Sequence, residues 1–99
     1  MASIVRAVRF TVSGILWAGP CVLCGFLVGT DGVTDPTLTF YNGQSAVPNG
    51  DVVPTTTFES STFGFNGFMP QIQLDCPDGL YVEVANLNTG EGIAYVRAM

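Results

Sequence analysis

The chain predicts an all-β fold, a small antiparallel β-sandwich or jelly-roll-like domain of about seven or eight short strands. Turn chemistry is the first reason. Five Asx-Gly pairs punctuate it, at Asp31-Gly32, Asn42-Gly43, Asn49-Gly50, Asn66-Gly67 and Asp78-Gly79. Such pairs relieve the steric penalty of positive φ and mark tight turns, type I′ hairpins among them. Thr89-Gly90-Glu91-Gly92 is a sixth turn candidate. The runs between turns supply the second reason, being rich in Val, Thr, Phe and Tyr, which suit a pleated surface. Third, no stretch longer than about ten residues carries the 3.6-residue period of an amphipathic helix.

The elements follow in order. Ser3 to Val12 places Ile4, Val8, Phe10 and Val12 on one face, with Arg6 the exception. Gly14 to Ala18 is a short second run that enters a turn at Gly19-Pro20. Cys21 to Val28 alternates two largely apolar sets, the pattern of a strand covered on both sides. Thr37 to Tyr41 sets Leu38 and Phe40 against Thr37, Thr39 and Tyr41. In Val52 to Phe58, Pro54 cannot donate to a ladder, so this run belongs at a sheet edge or in irregular structure. Gln71 to Leu74, Leu80 to Ala85 and Ile93 to Arg97 complete the strands. The expected loops are Gly29 to Pro36, Asn42 to Asp51 and Glu59 to Pro70.

With 99 residues and neither repeat nor low-complexity linker, residues 1–99 read as a single domain. So short a chain buries only about two-thirds of the surface of its unfolded form. Yet 47% of it is hydrophobic and 11% charged. The surplus belongs on a surface that another molecule covers, and a subunit interface is the favoured place. A membrane is the alternative. Phe10 to Thr30 is uncharged and follows two Arg residues, as in an export signal or a span. Gly14, Gly19-Pro20, Gly25 and Gly29 interrupt it, and its Val, Thr and Phe content favours strands, so no membrane role is expected.

Charge excludes another class. Eight acids face three Arg residues, Arg6, Arg9 and Arg97, with no Lys and no His. Nucleic-acid binding needs clustered cations to displace phosphate counterions, so none is expected. The same composition opposes catalysis. Without His there is no Ser-His or Cys-His pair, and without Lys little to activate a thiol. Cys21-Val22-Leu23-Cys24 matches C-x-x-C in form, but lies inside a predicted strand rather than opening a helix. Three cysteines cannot complete a four-ligand zinc site. Their odd number reads as buried small hydrophobes, and spacing leaves open whether Cys76 bridges to Cys21 or Cys24. Asp31 with Asp35, and Asp75 with Asp78, read as turn formers rather than calcium ligands. The expectation is therefore a non-enzyme without cofactor or metal.

The candidate functional residues are apolar and cationic instead. Thr62 to Pro70 brings Phe63, Phe65, Phe68 and Met69 together around two glycines. These side chains either plug one end of the sandwich or anchor a neighbouring subunit, since interface cores are enriched in Phe and Met. Trp17, beside a turn, carries the same two readings. Arg6 and Arg9 offer a contact to an acidic neighbour.

The order of segments also carries a resemblance. Gly14-Ile15-Leu16 leads through Gly19-Pro20 to Gly25-Phe26-Leu27-Val28, then Leu38-Thr39-Phe40-Tyr41-Asn42-Gly43, Asp78-Gly79-Leu80-Tyr81-Val82 and a short last strand. This is similar to small all-β structural proteins of tailed bacteriophages, over most of residues 12 to 97. Cys24 stands where a Tyr is commoner, and Pro77 replaces a typical Asn. The shared positions are turn and core positions, so no functional residue transfers. The resemblance implies a virion protein and does not name its place in the particle. The leading expectation is a capsid decoration or cement protein that binds the major capsid protein as a homo-oligomer such as a trimer. A tail, head-tail connector or fibre-anchoring component is the alternative. Outside that resemblance stand an envelope-associated or secreted β-domain and, least favoured, a small enzyme.

Overall fold

Nine strands are seen among the residues that the computed structural model describes, 4–59, 65–66 and 73–99. They are β1 (Arg6–Phe10), β2 (Gly14–Trp17), β3 (Cys21–Gly29), β4 (Thr37–Asn42), β5 (Asp51–Thr57), β6 (Phe65–Asn66), β7 (Leu74–Cys76), β8 (Leu80–Ala85) and β9 (Glu91–Ala98). Every pairing is antiparallel. The first sheet runs β1-β9-β3, and its fourth position is shared by β7, opposite Cys21–Leu23, and β6, opposite Val28 and Gly29. The second runs β2-β8-β4-β5. If β6 and β7 are counted as one position, this is the strand order of a jelly roll. The expected β-sandwich is therefore the observed fold.

The core lies where the two inner faces meet. Leu23, Phe26 and Val28 of β3 and Ala94 and Val96 of β9 face Leu38 and Phe40 of β4 and Leu80 and Val82 of β8. Phe40 is its centre. Its ring lies 4.8 Å from that of Phe26 and meets Phe10 edge-on at 6.0 Å, which joins the sheets through aromatic contacts. Phe58, just past β5, meets Phe26 edge-on at 6.3 Å. Its N–H donates to the Pro36 carbonyl at 2.9 Å, tying down one end of the sandwich.

The turn signals are realised. Gly32, Gly43, Gly50 and Gly79, the second members of four Asx-Gly pairs, all have positive φ. The Gly79 turn is crowded as well, because an added Cβ would sit 2.9 Å from the Trp17 carbonyl oxygen. The β8–β9 connection departs from expectation, placing Asn86 and Asn88 at φ of 61° and 54°. Asn tolerates that region through local hydrogen bonding, and Asn88 Nδ2 donates to Asp31 Oδ2 at 3.2 Å and Thr34 Oγ1 at 3.1 Å.

Several boundaries moved. The first strand is shorter than Ser3 to Val12, so Ile4 and Val12 run past its ends and stand exposed instead of facing the core. Of the strand expected over Gln71 to Leu74, residues 71–72 lie outside the described residues, and the described strand runs Leu74–Cys76. Within the expected Glu59–Pro70 loop, Phe65–Asn66 pairs with β3. Pro54 lies in β5, an outer strand of its sheet, where its missing N–H costs nothing. Phe10 to Thr30 forms strands, as read from its glycines.

Candidate interaction surface

Strands β1 and β2 are the outermost members of their sheets at one margin of the sandwich. β1 pairs with β9 and β2 with β8, and residues 11–13 join them directly. Each leaves one row of backbone N–H and C=O groups unpaired among the described strands, which is a template for another chain unless blunted. Ser13 closes part of the gap, its hydroxyl accepting from the Val84 N–H at 2.8 Å beside the start of β2.

Apolar exposure gathers here. Among the described residues, four of the seven strongly exposed large apolar side chains lie between residues 4 and 15: Ile4 (74%), Val5 (41%), Val12 (70%) and Ile15 (51%). Single exposed apolar residues are ordinary, but a run of them along an open margin is not. Met99 is exposed as well (56%), and its N–H donates to the Pro20 carbonyl at 3.1 Å, beside the start of β3. The fold itself is not under-buried. Its accessible surface, 5294 Å², matches the roughly 5,400 Å² that scaling gives for a monomer of this mass.

Arg6, Arg9 and Trp17 all fall on this margin. Arg6 and Arg9 are exposed on β1, and Trp17 ends β2 half-buried against the core. Arg9 Nη2 and Nε both lie 2.6 Å from Glu91 Oε2. Phe63, Phe68 and Met69 lie outside the described residues. The backbone of Phe65 is in β6, paired with Gly29. That position is three strand spacings from β1, about 14 Å. The arginine-bearing β1 and the Phe65–Asn66 pair of β6 therefore sit at opposite margins of the first sheet. Ile15 and Val12 are exposed apolar residues that sequence reading did not single out. The signal available was the shortness of the Gly14–Ala18 run, too short to bury both of its faces.

The remaining polar groups act locally. Asp31 Oδ1 accepts the N–H groups of Val33 at 2.9 Å and Thr34 at 2.7 Å, and these bonds hold its carboxyl below the usual range. Asp78 Oδ2 accepts from Asn49 Nδ2 at 3.2 Å, and the Asp78 N–H donates to Asn42 Oδ1 at 3.0 Å. Both carboxylates are turn formers in this fold. Comparison with protein families, with curated proteins and with solved structures finds no match to this chain.

Proposed function

We propose that this protein is a structural subunit of a virus particle, acting as a capsid decoration protein whose β1–β2 margin docks on the major capsid protein. The observation that carries the reading is the exposure of Ile15 on β2 and of Ile4, Val5 and Val12 in the segments that flank β1. The resemblance to tailed-phage structural proteins supplies the virion, and jelly rolls recur among viral capsid domains. Magnitudes make repetition necessary. Each of these side chains gains about 1.5–3 kcal/mol on full burial, so covering four that are 41–74% exposed yields roughly 3.5–7 kcal/mol. Association costs about 4–15 kcal/mol. A lone contact is weak, and many equivalent contacts on a symmetric lattice make attachment lasting.

Co-sedimentation with purified particles tests this. Ile15→Asp is expected to leave the isolated fold within about 0.5 kcal/mol of the parent and to reduce particle binding more than tenfold. Unchanged binding overturns the proposed surface. Counting copies per particle by quantitative mass spectrometry tests the role. Hundreds fit decoration, whereas about six or twelve fit the alternative of a tail or connector ring. Absence from the particle overturns both.

A further inference from the structure

We infer that Cys21 and Cys76 form a built-in dithiol switch that closes to a cross-strand disulfide under oxidising conditions, while Cys24 stays a free thiol. The two residues are direct register partners in the antiparallel β3–β7 pair. Facing residues in such a pair have Cα atoms about 4.5 or 5.5 Å apart. Either spacing falls inside the 4.4–6.8 Å window of a disulfide, so no backbone shift is needed to bridge them. Both side chains are 0% exposed and belong to the core, and both are free thiols. The two thiols lie close enough to shift one another's titration in opposite directions, and Cys76 Sγ donates to the Leu74 carbonyl at 3.5 Å.

Cys24 is placed differently. The irregularity between Leu23 and Gly25 shifts the register there. Cys24 is buried but outside the core cluster, and its Sγ reaches the Val22 carbonyl at 3.8 Å. The C-x-x-C spacing therefore does not mark the reactive pair.

The oxidant is a low-molecular-weight disulfide. Cys76 loses its proton and attacks one sulfur of the reagent, which expels one small thiol and leaves a mixed disulfide. Cys21 then loses its proton and attacks the Cys76 sulfur, expelling the second small thiol. Two protein thiols are oxidised, one small disulfide is reduced, and the two protons end on the released thiols. Cys76 is the first attacker because it sits on the short strand β7, while Cys21 stays paired to β9 within β3. Access comes from opening of β7, a three-residue outer strand. The bridge fastens that strand to β3 and closes a long loop of chain.

The test refolds the full chain from denaturant in a glutathione buffer in which the oxidised form predominates, with a fully reduced control. Peptide mapping after alkylation should find the Cys21–Cys76 bridge and an alkylated Cys24. The oxidised form should melt roughly 10 °C or more above the reduced form. Cys24→Ser should retain both results and Cys76→Ala should lose both. Three free thiols after refolding, or a bridge that includes Cys24, overturns the inference. So does a bridge that lowers the melting temperature.

Discussion

The two outer faces of the sandwich meet their surroundings differently. On the second sheet, Thr37, Thr39 and Tyr41 of β4 alternate outward, beside Tyr81 and Glu83 of β8 and Thr55 and Thr57 of β5. These groups bond to one another. Thr39 Oγ1 lies 2.6 Å from Thr55 Oγ1, and Tyr41 Oη donates to Glu83 Oε1 at 3.0 Å. On the first sheet the outward set includes Leu27, Ile93 and Tyr95, half-buried, with Val22 buried between Arg97 and Asp75. Arg97 Nη2 donates to Gln73 Oε1 at 3.1 Å, which carries its stem across β3. All three Arg residues belong to the first sheet. One face is closed by its own hydrogen bonds, while the other continues the greasy character of the core outward. The proposed docking margin borders the second kind.

The comparison requires that the two faces share one cooperative core, and Phe40→Ala tests that most severely. Phe40 is fully buried between Phe26 and Phe10. Its truncation is expected to cost about 3–5 kcal/mol, a large share of the roughly 5–15 kcal/mol of a typical domain. Urea unfolding followed by Trp17 fluorescence and by far-UV circular dichroism should give coincident transitions at lower urea. Separate transitions would mean the sheets are independent, and the comparison would break.

Gly92→Ala acts first on the first sheet and only through the Phe10–Phe40 contact on the second. Gly92 is the register partner of Phe10, whose ring lies over the glycine so closely that an added methyl collides with it. Overpacking of this kind costs about 1–3 kcal/mol. Hydrogen exchange should quicken more in β1 and β9 than in β4 and β5. Equal loosening of both sheets would show that β1 is not separately anchored.

How far this was legible varies by region. Period-two alternation and Asx-Gly turns located β3, β4 and β8 to within a residue, because both signals are local, whereas β9 begins two residues before Ile93, inside the expected Thr89–Gly92 turn. The double apolar alternation of Cys21 to Val28 gave its burial on both sides, which the structure bears out. What escaped depends on pairing across long sequence separations. Ile4 and Val12 match the core period of β1, but their exposure follows from where β9 ends and β2 begins. The facing of Cys21 and Cys76 likewise follows from β3–β7 register, which nothing local encodes. Asn86 and Asn88 lack the following glycine that marked the other turns.

The second sheet's self-bonded face has a pH signature. Burial, then the hydrogen bond to Glu83 and its charge, push the Tyr41 phenol above its ordinary value. A raised acid favours its neutral form in the folded state. Its contribution is fully present below the unfolded value near 10 and is lost as pH climbs through the folded value. Tyr41→Phe is expected to flatten the alkaline fall of the urea midpoint relative to the parent chain. Identical slopes would mean that this face does not hold its phenol as the geometry implies.

The smallest expected effect is at Arg9, where the two uses of the first sheet separate. The ion pair with Glu91 joins side chains 73% and 33% exposed, so its worth is about 0.2–1 kcal/mol, and less in salt. Arg9→Ala should lower the melting temperature by only a few degrees in dilute buffer and by less at high salt. Particle binding should respond more strongly. Docking removes water from the β1 margin, and a charge that interacts weakly in solvent interacts more strongly with an acidic partner in a drier interface. A stability change as large as the binding change would make Arg9 a strut of the fold, and the contact role would pass to the apolar residues beside it.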